Sequence, residues 1–410
     1  MPAPEARISV RELRRDPDDA LRRVAERGDL VWVRAGRGRF LLTRSPDAVR
    51  ETLVERAEEL AKPRSQRIAV GRPGPEPPPG RISPPKLRRA LARGMSSGAG
   101  RTAEAVSGAA VPAAQRWHDG ERIRLMPWLR PLVIDAVVRG AFASPLGDDD
   151  RQRLEVVVRW ADRSPRVTGR RPTLHALARP LAFARLSLVV RSLLAHADLS
   201  RYSELSAVAL EHEDFAPGST ERERQALLGE LLLGAVGPLV QTSGWALFRF
   251  GAEPAAAARL RSEWYGGTSR AYTEAFVREV TRLHPTNPHI TRVALVDTSV
   301  GGEPVPAHTR VVVDVAALHR DPRLYDEPDR FSPERWLEGR SPEQKFASAA
   351  FGIGDRRCLG EAIAMKALAA LVEAVGRHCD LAFDEVDVTA RGRRQLADDV
   401  AVTVTRRPAS

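Results

Sequence analysis

Cysteine, lysine and long apolar runs are all scarce in these 410 residues. The two cysteines, Cys358 and Cys379, exclude a disulfide framework and suit a reducing compartment. A chain this long buries a large core without such staples. Lysine occurs only at Lys62, Lys86, Lys345 and Lys366, so arginine supplies 60 of the 64 positive charges. Against 53 acidic residues the net charge is +11. A nucleic-acid binder gathers such an excess on one face or stripe. Here arginine is spread along the whole chain, so coding bias is the better account and nucleic acid is not expected as a partner. No uninterrupted apolar run reaches the roughly eighteen residues of a membrane helix. The longest, 226–240, is broken by Glu230 and holds Pro238. The opening residues, Met1-Pro-Ala-Pro-Glu-Ala-Arg7, lack the apolar segment of a secretion signal. The expectation is a cytoplasmic protein with no membrane partner.

The residues that are present pattern mainly as helices. Two apolar segments in 30–43 flank Gly36 and Gly38 and predict a hairpin. Ser45-Pro46 supplies a cap and a first-turn proline for a helix running to about Lys62-Pro63. Residues 62–85 are dense in glycine and proline and predict an irregular loop. The next two hundred residues are mostly helical in pattern. Thr220 and Glu223 fit a capping box for a long central helix over about 220–250, and a further helix spans 272–284. Alternation at 290–296 and 310–316 predicts strands, joined across Gly301-Gly302. A meander rich in proline and aspartate follows over 319–336, then a helix over 361–378 and a tail of short strands. No linker divides the chain. The expected fold is mainly α with small β-sheets, one large domain over 1–410.

The chemistry concentrates in residues 351–360, Phe351-Gly-Ile-Gly-Asp-Arg-Arg-Cys-Leu-Gly360. A cysteine just before a helix faces free backbone N–H groups and the positive end of the helix dipole. Both favour thiolate, as do Arg356 and Arg357. Glycines allow a tight turn and a close approach. A thiolate held this way is a soft metal ligand. The competing reading is a structural cysteine in a glycine-rich turn, which is the reading given to Cys379.

This segment resembles the heme-binding loop of the cytochrome P450 family, Phe-x-x-Gly-x-(Arg/His)-x-Cys-x-Gly, at every defined position. Glu279-Val-Thr-Arg282 resembles the family's Glu-x-x-Arg helix. Pro333-Glu-Arg-Trp336 resembles its Pro-Glu-Arg-Phe meander, with Trp for Phe. His319-Arg-Asp-Pro322 and Pro328-Asp-Arg-Phe331 resemble strings of bacterial members. The resemblance implies a P450-like fold and heme b as cofactor. It makes Cys358 the axial thiolate, which favours O–O cleavage, with Phe351, Gly352 and Gly360 shaping the loop around it. Arg88, Arg292 and Arg356 are the implied partners of the heme propionates. Pro84 stands where the family often has a propionate histidine. Glu279, Arg282 and Arg335 are the implied scaffold network. Ferredoxin and its reductase are the implied electron donors, and the chain is expected to act as a monomer.

One departure bears on the reaction. Monooxygenases of the family carry an acid–alcohol pair on the central helix, and here Gly237 and Pro238 stand at those positions. Neither side chain transfers a proton. Thr242 offers a hydroxyl one turn on. The leading expectation is monooxygenation of a specialised, natural-product metabolite with dioxygen. The alternatives are oxidative coupling of aryl or phenol rings in a peptide-type or carrier-bound substrate, peroxide-driven oxidation, and a heme protein without catalysis. A non-heme thiolate enzyme is a further rival. The arginines within 163–197, from Arg163 to Arg191, offer a basic surface for an acidic carrier protein or anionic substrate.

Overall fold

The computed structural model describes residues 3–63, 84–142, 146–162, 179–196, 221–267, 269–338, 348–384, 396 and 398–407. Its helices are α1 (Val10–Arg15), α2 (Pro17–Ala25), α3 (Pro46–Arg50), α4 (Pro84–Arg116), α5 (Leu125–Phe142) and α6 (Asp148–Asp162). They continue with α7 (Arg179–His196), α8 (Glu221–Ala252), α9 (Pro254–Gly266), α10 (Ala271–Leu283), α11 (Val315–Leu318) and α12 (Glu361–Gly376). The first sheet contains β1 (Glu5–Ile8), β2 (Leu30–Ala35), β3 (Gly38–Thr43), β4 (Leu60–Ala61), β6 (His289–Ala294) and β9 (Arg310–Asp314), in the order β1-β2-β3-β9-β6-β4. A second sheet orders β10 (Cys379–Phe383), β11 (Ala401–Arg406) and β5 (Arg122–Arg124). A small hairpin pairs β7 (Thr298–Val300) with β8 (Glu303–Val305). The chain is predominantly helical with small sheets.

The main core lies between the long helices. Leu91 and Ala99 of α4, Leu129 and Val133 of α5, Val236 and Trp245 of α8, and Leu368 and Leu371 of α12 share one buried cluster. Helix α8 is apolar on most sides. Its stretch Leu228–Ala252, mean hydropathy 1.4, is long and apolar enough to pass for a membrane span by composition. However, 72% of that window is buried inside the protein, as a core helix requires. The sequence's apolar run thus extends further than its charged and proline residues suggest.

The segment after Ser45-Pro46 is not one helix. The Ser45 side chain caps α3, but α-geometry ends at Arg50 and gives way to a π-turn over Glu51–Glu55. Leu60 and Ala61 then leave helical geometry to pair with Ala294 and Val293. Sheet pairing overrides the local helical pattern here. The hairpin over 30–43 is present, with Gly36 at φ 58 in its turn. The strands at β6 and β9 pair antiparallel, and Gly301-Gly302 turns the β7–β8 hairpin between them. Of the expected loop at 62–85, residues 64–83 lie outside the described residues, and Pro84 already begins α4. Thr220 also lies outside them.

Candidate active site

The cysteine loop is closed by its own backbone. The amide of Cys358 donates to the carbonyl of Phe351 at 2.7 Å, and Arg357 N–H donates to Gly354 at 3.0 Å. Gly352 and Gly354 have φ of 73 and 69, the left-handed region that glycine adopts without a Cβ clash. Gly354 has a second constraint. A Cβ there would stand 2.9 Å from the Leu53 carbonyl oxygen and 3.2 Å from a Val54 methyl. The loop therefore rests directly on the π-turn.

Cys358 precedes the start of α12, whose N-cap is Gly360. Its thiol is free and solvent-accessible. It is also walled by enough protein that burial pushes its pKa up, helped by Glu361. The Gly360 N–H, Arg88 and Lys62 pull the other way without overcoming this. The helix-start N–H and an arginine thus act in the direction read from sequence, and burial, which sequence does not show, opposes them. Coordination to a metal would make the thiolate the favoured form, since it deprotonates a thiol outright.

Cations gather beside it. Arg292, on β6, is 5% exposed and donates to the Thr291 carbonyl at 3.1 Å. Burial, then the charge of Arg356, brings its pKa down to about 10. Arg88, on α4, donates to the carbonyl of Arg357. Burial lowers its pKa too, with Cys358 and Asp355 opposing and Arg356 adding to the fall. Lys62 completes the group. Burial, followed by Arg292, Arg88 and Arg356, lowers its pKa to about 8, with Cys358 opposing. Sequence reasoning missed Lys62. Its signal was rarity, as one of four lysines in a chain that otherwise uses arginine.

Glu279 and Arg282 of α10 form a buried, two-bond pair, Nε to Oε2 at 2.8 Å and Nη2 to Oε1 at 2.7 Å. Glu279 also accepts from Ser332 N–H at 2.9 Å, Arg335 Nε at 3.1 Å and Trp336 Nε1 at 2.7 Å. Burial pushes its carboxyl pKa up, but Arg282 and these donors outweigh it and hold the value below the usual range. Arg282 Nη1 donates to the carbonyls of His319 and Pro328, both at 2.7 Å. His319 Nε2 accepts from the Ala349 amide at 3.0 Å, which leaves Nδ1 as the donor to the Arg282 carbonyl at 2.8 Å. One side chain thus ties α10 to the meander and to the approach of the cysteine loop. The string containing His319 was visible in the sequence, but this role was not.

On α8, Gly234 is exposed in the middle of a buried helix, and a Cβ there would meet nothing within 4 Å. Gly237 is buried and Pro238 half-buried. The helix continues through Pro238. Proline has no N–H, so it cannot give the Gly234 carbonyl its helical hydrogen bond. Thr242 Oγ1 donates to the Pro238 carbonyl at 2.9 Å. Cys379 is buried, its Sγ lies 3.6 Å from the Ala114 carbonyl, and burial pushes its pKa up to about 11. That is the environment of an inert structural thiol. Within 163–197, residues 163–178 and 197 lie outside the described residues, while Arg185 and Arg191 are exposed on α7.

A family model described as Cytochrome P450 matches residues 196–393. The chain belongs to the cytochrome P450 family. Its fold is similar to the crystal structure of the cytochrome P450DA heme domain, with a TM-score of 0.76, 18% identity, and 100% of this chain and 98% of that one covered. Cyclooctatin synthase of Streptomyces melanosporofaciens is 32% identical over 48% of this chain and 47% of its own. Cyclooctat-9-en-7-ol 5-monooxygenase of the same organism is 37% identical over 26% and 24%. The chain spans about half or less of the length of these curated relatives.

P450 membership implies heme, and the residues fit it. A soft sulfur donor is accessible to solvent, and its loop is held by backbone hydrogen bonds. Beside it stands a group of cations, including a nearly fully buried Arg292, matching the two carboxylates of a heme edge. Buried cations call for such anionic, hydrogen-bonding partners.

Proposed function

We propose that this protein is a heme-thiolate monooxygenase of a natural-product metabolite, drawing electrons from ferredoxin and its reductase. The observation that carries the reading is the accessible Cys358 sulfur at the start of α12, beside the cations of β6, α4 and its own loop. The name of one relative, a 5-monooxygenase, supports the reaction class. Bound heme b would supply the oxidising iron centre for oxygen insertion.

The chain's own residues do the rest. Cys358 Sγ would hold the iron, and the Gly360 N–H favours negative charge on that sulfur. Arg88, Arg292 and Arg356 would hold the propionates. Phe351 fixes the Cys358 amide through its carbonyl, while Gly352 and Gly354 let the loop turn. Glu279, Arg282 and Arg335 hold the meander and, through His319, the approach to the loop. By resemblance, Gly237 and Pro238 of α8 stand where the family carries its acid–alcohol pair. Gly237 and Pro238 pass no proton there. The Gly234 carbonyl, deprived of its helical donor, accepts a hydrogen bond from water or from a substrate hydroxyl or amine instead. Protons then arrive from that water or substrate.

The missing acid–alcohol pair favours a second reading, oxidative coupling of aromatic rings in a peptide-type or carrier-bound substrate. A Soret titration of the ferric protein separates the two. A spectral shift with free terpenoids or small aromatics is expected for monooxygenation. A shift only with tyrosine- or tryptophan-containing peptides, or with carrier-bound amino acids, would replace it with coupling.

A further inference from the structure

Helix α3 stops at Arg50, and the turn after it is wider than an α-turn. The Arg56 N–H reaches back five residues, to the Glu51 carbonyl at 2.8 Å. Such a π-turn holds one residue more than an α-turn, and π-turns are frequent at functional sites. Without the extra residue, the side chains that follow would be rotated by about 100° around the helix. With it, the turn meets the cysteine loop at Gly354. A Cβ on Gly354 would lie 2.9 Å from the Leu53 carbonyl oxygen and 3.2 Å from Val54 Cγ2. Leu53 is buried in a cluster with Val49, Val313 and Leu318, against which Ile353 packs. Val54 is 37% exposed and adds little to that core. Its methyl group stands against Gly354 instead.

From Gly354 the path to the sulfur is short. The Gly354 carbonyl accepts from Arg357 N–H at 3.0 Å. Arg88 of α4 donates to the Arg357 carbonyl. Cys358 follows, with its amide fixed to the Phe351 carbonyl at 2.7 Å. The loop is thus gripped between α4 and the π-turn, and Gly354 has no side chain with which to hold its own place. We propose that Val54 is a positioning residue for Cys358. Presented by the π-turn, it abuts Gly354 and sets where the sulfur stands. That the sulfur is set for an iron rests on the heme reading above. Val54 belongs to none of the motifs. A valine that only covered surface would leave Cys358 unaffected when trimmed.

The test compares wild type, Val54→Ala and Val54→Thr, the last of which keeps the branched shape. In the holoprotein, the thiolate-type ferrous–CO band is followed in dilute urea as it converts to the thiol-type band. Loss of the two methyl groups should speed conversion about threefold to tenfold in Val54→Ala, with Val54→Thr near wild type. The urea midpoint of the whole fold, read by circular dichroism, should be the same in all three, because Val54 lies outside the core. Equal conversion rates in Val54→Ala and wild type would overturn the proposal while leaving the heme reading intact. A midpoint that falls in step with faster conversion would also overturn it, in favour of a structural role. A wild type that takes up no hemin would overturn the heme reading alone. The reaction of Cys358 with Ellman's reagent then decides this proposal by itself, since Cys379 is buried. A faster reaction in Val54→Ala is expected, and an unchanged one would overturn it.

Discussion

Two charge clusters lie within this protein, and they differ in balance. Around Glu279, a buried anion meets Arg282 and Arg335 within 3.1 Å, and backbone groups and Trp336 take up further bonding capacity. Around Arg292, the strongest influence after burial is another cation, Arg356, and three cations act together on Lys62. The first cluster is satisfied by the fold alone. The second gathers Lys62, Arg88, Arg292 and Arg356 near Cys358, with Asp355 as an opposing charge on Arg88. The first cluster holds the scaffold together, and the second lines the cysteine loop. The two meet through His319, which joins the balanced network to Ala349 just before the cysteine loop.

The largest effect is expected from breaking the balanced cluster. Glu279→Ala leaves Arg282 buried without its carboxylate, a loss of about 3–5 kcal/mol. Urea unfolding should show that loss with or without heme. Undiminished stability would mean that the network is not the scaffold. The unbalanced cluster should respond in the opposite way. Arg292→Met should release heme about tenfold faster or more, measured by transfer to apomyoglobin. The stability of its heme-free form should be unchanged or raised. A heme-free form weakened as much as Glu279→Ala would erase the distinction between the clusters.

The readable parts of the site were those packed into short segments. Phe351, the glycines, Arg356 and Cys358 stand within ten residues, and their spacing alone carries the loop. Glu279 and Arg282 stand one helical turn apart. Lys62 was illegible because its meaning depends on a two-residue strand. That strand exists only through pairing with β6, and local pattern there favoured a continuing helix. The surroundings of Cys358 were only half legible for a similar reason. Helix position and nearby arginines can be read from sequence, but the burial that pushes its thiol pKa up depends on the packed fold. The opening at Gly234 was half visible. Pro238 announces a missing N–H, whereas the open space beside Gly234 is a fact of packing.

Two smaller effects sharpen the comparison away from the clusters. Gly237→Glu with Pro238→Thr restores an acid, an alcohol and a helical N–H. The ratio of product to hydrogen peroxide should rise, measured with any turned-over substrate. An unchanged ratio would mean that α8 takes no part in proton delivery. His284 provides the mildest test. Burial first, then Arg249, Arg320 and Arg282, hold its pKa well below the usual value. It stays neutral, accepting from Arg249 Nε at 3.0 Å and stacking on Trp245 at 3.9 Å. Below about pH 6.5 the unfolded chain takes up a proton that the folded one refuses. Its contribution to stability is therefore complete above that pH and is lost as the pH falls. His284→Gln should flatten the fall in urea midpoint between about pH 7 and pH 5. An equally steep fall in the variant would assign the acid sensitivity to other groups.

The central claim is that Cys358 supplies a thiolate to heme iron. The most direct measurement is the ferrous–CO spectrum of the purified wild type beside that of Cys358→Ser. The account predicts a thiolate-type Soret band in the wild type and its loss in the variant, with the fold retained by circular dichroism. A thiolate-type band that survives in Cys358→Ser would contradict it.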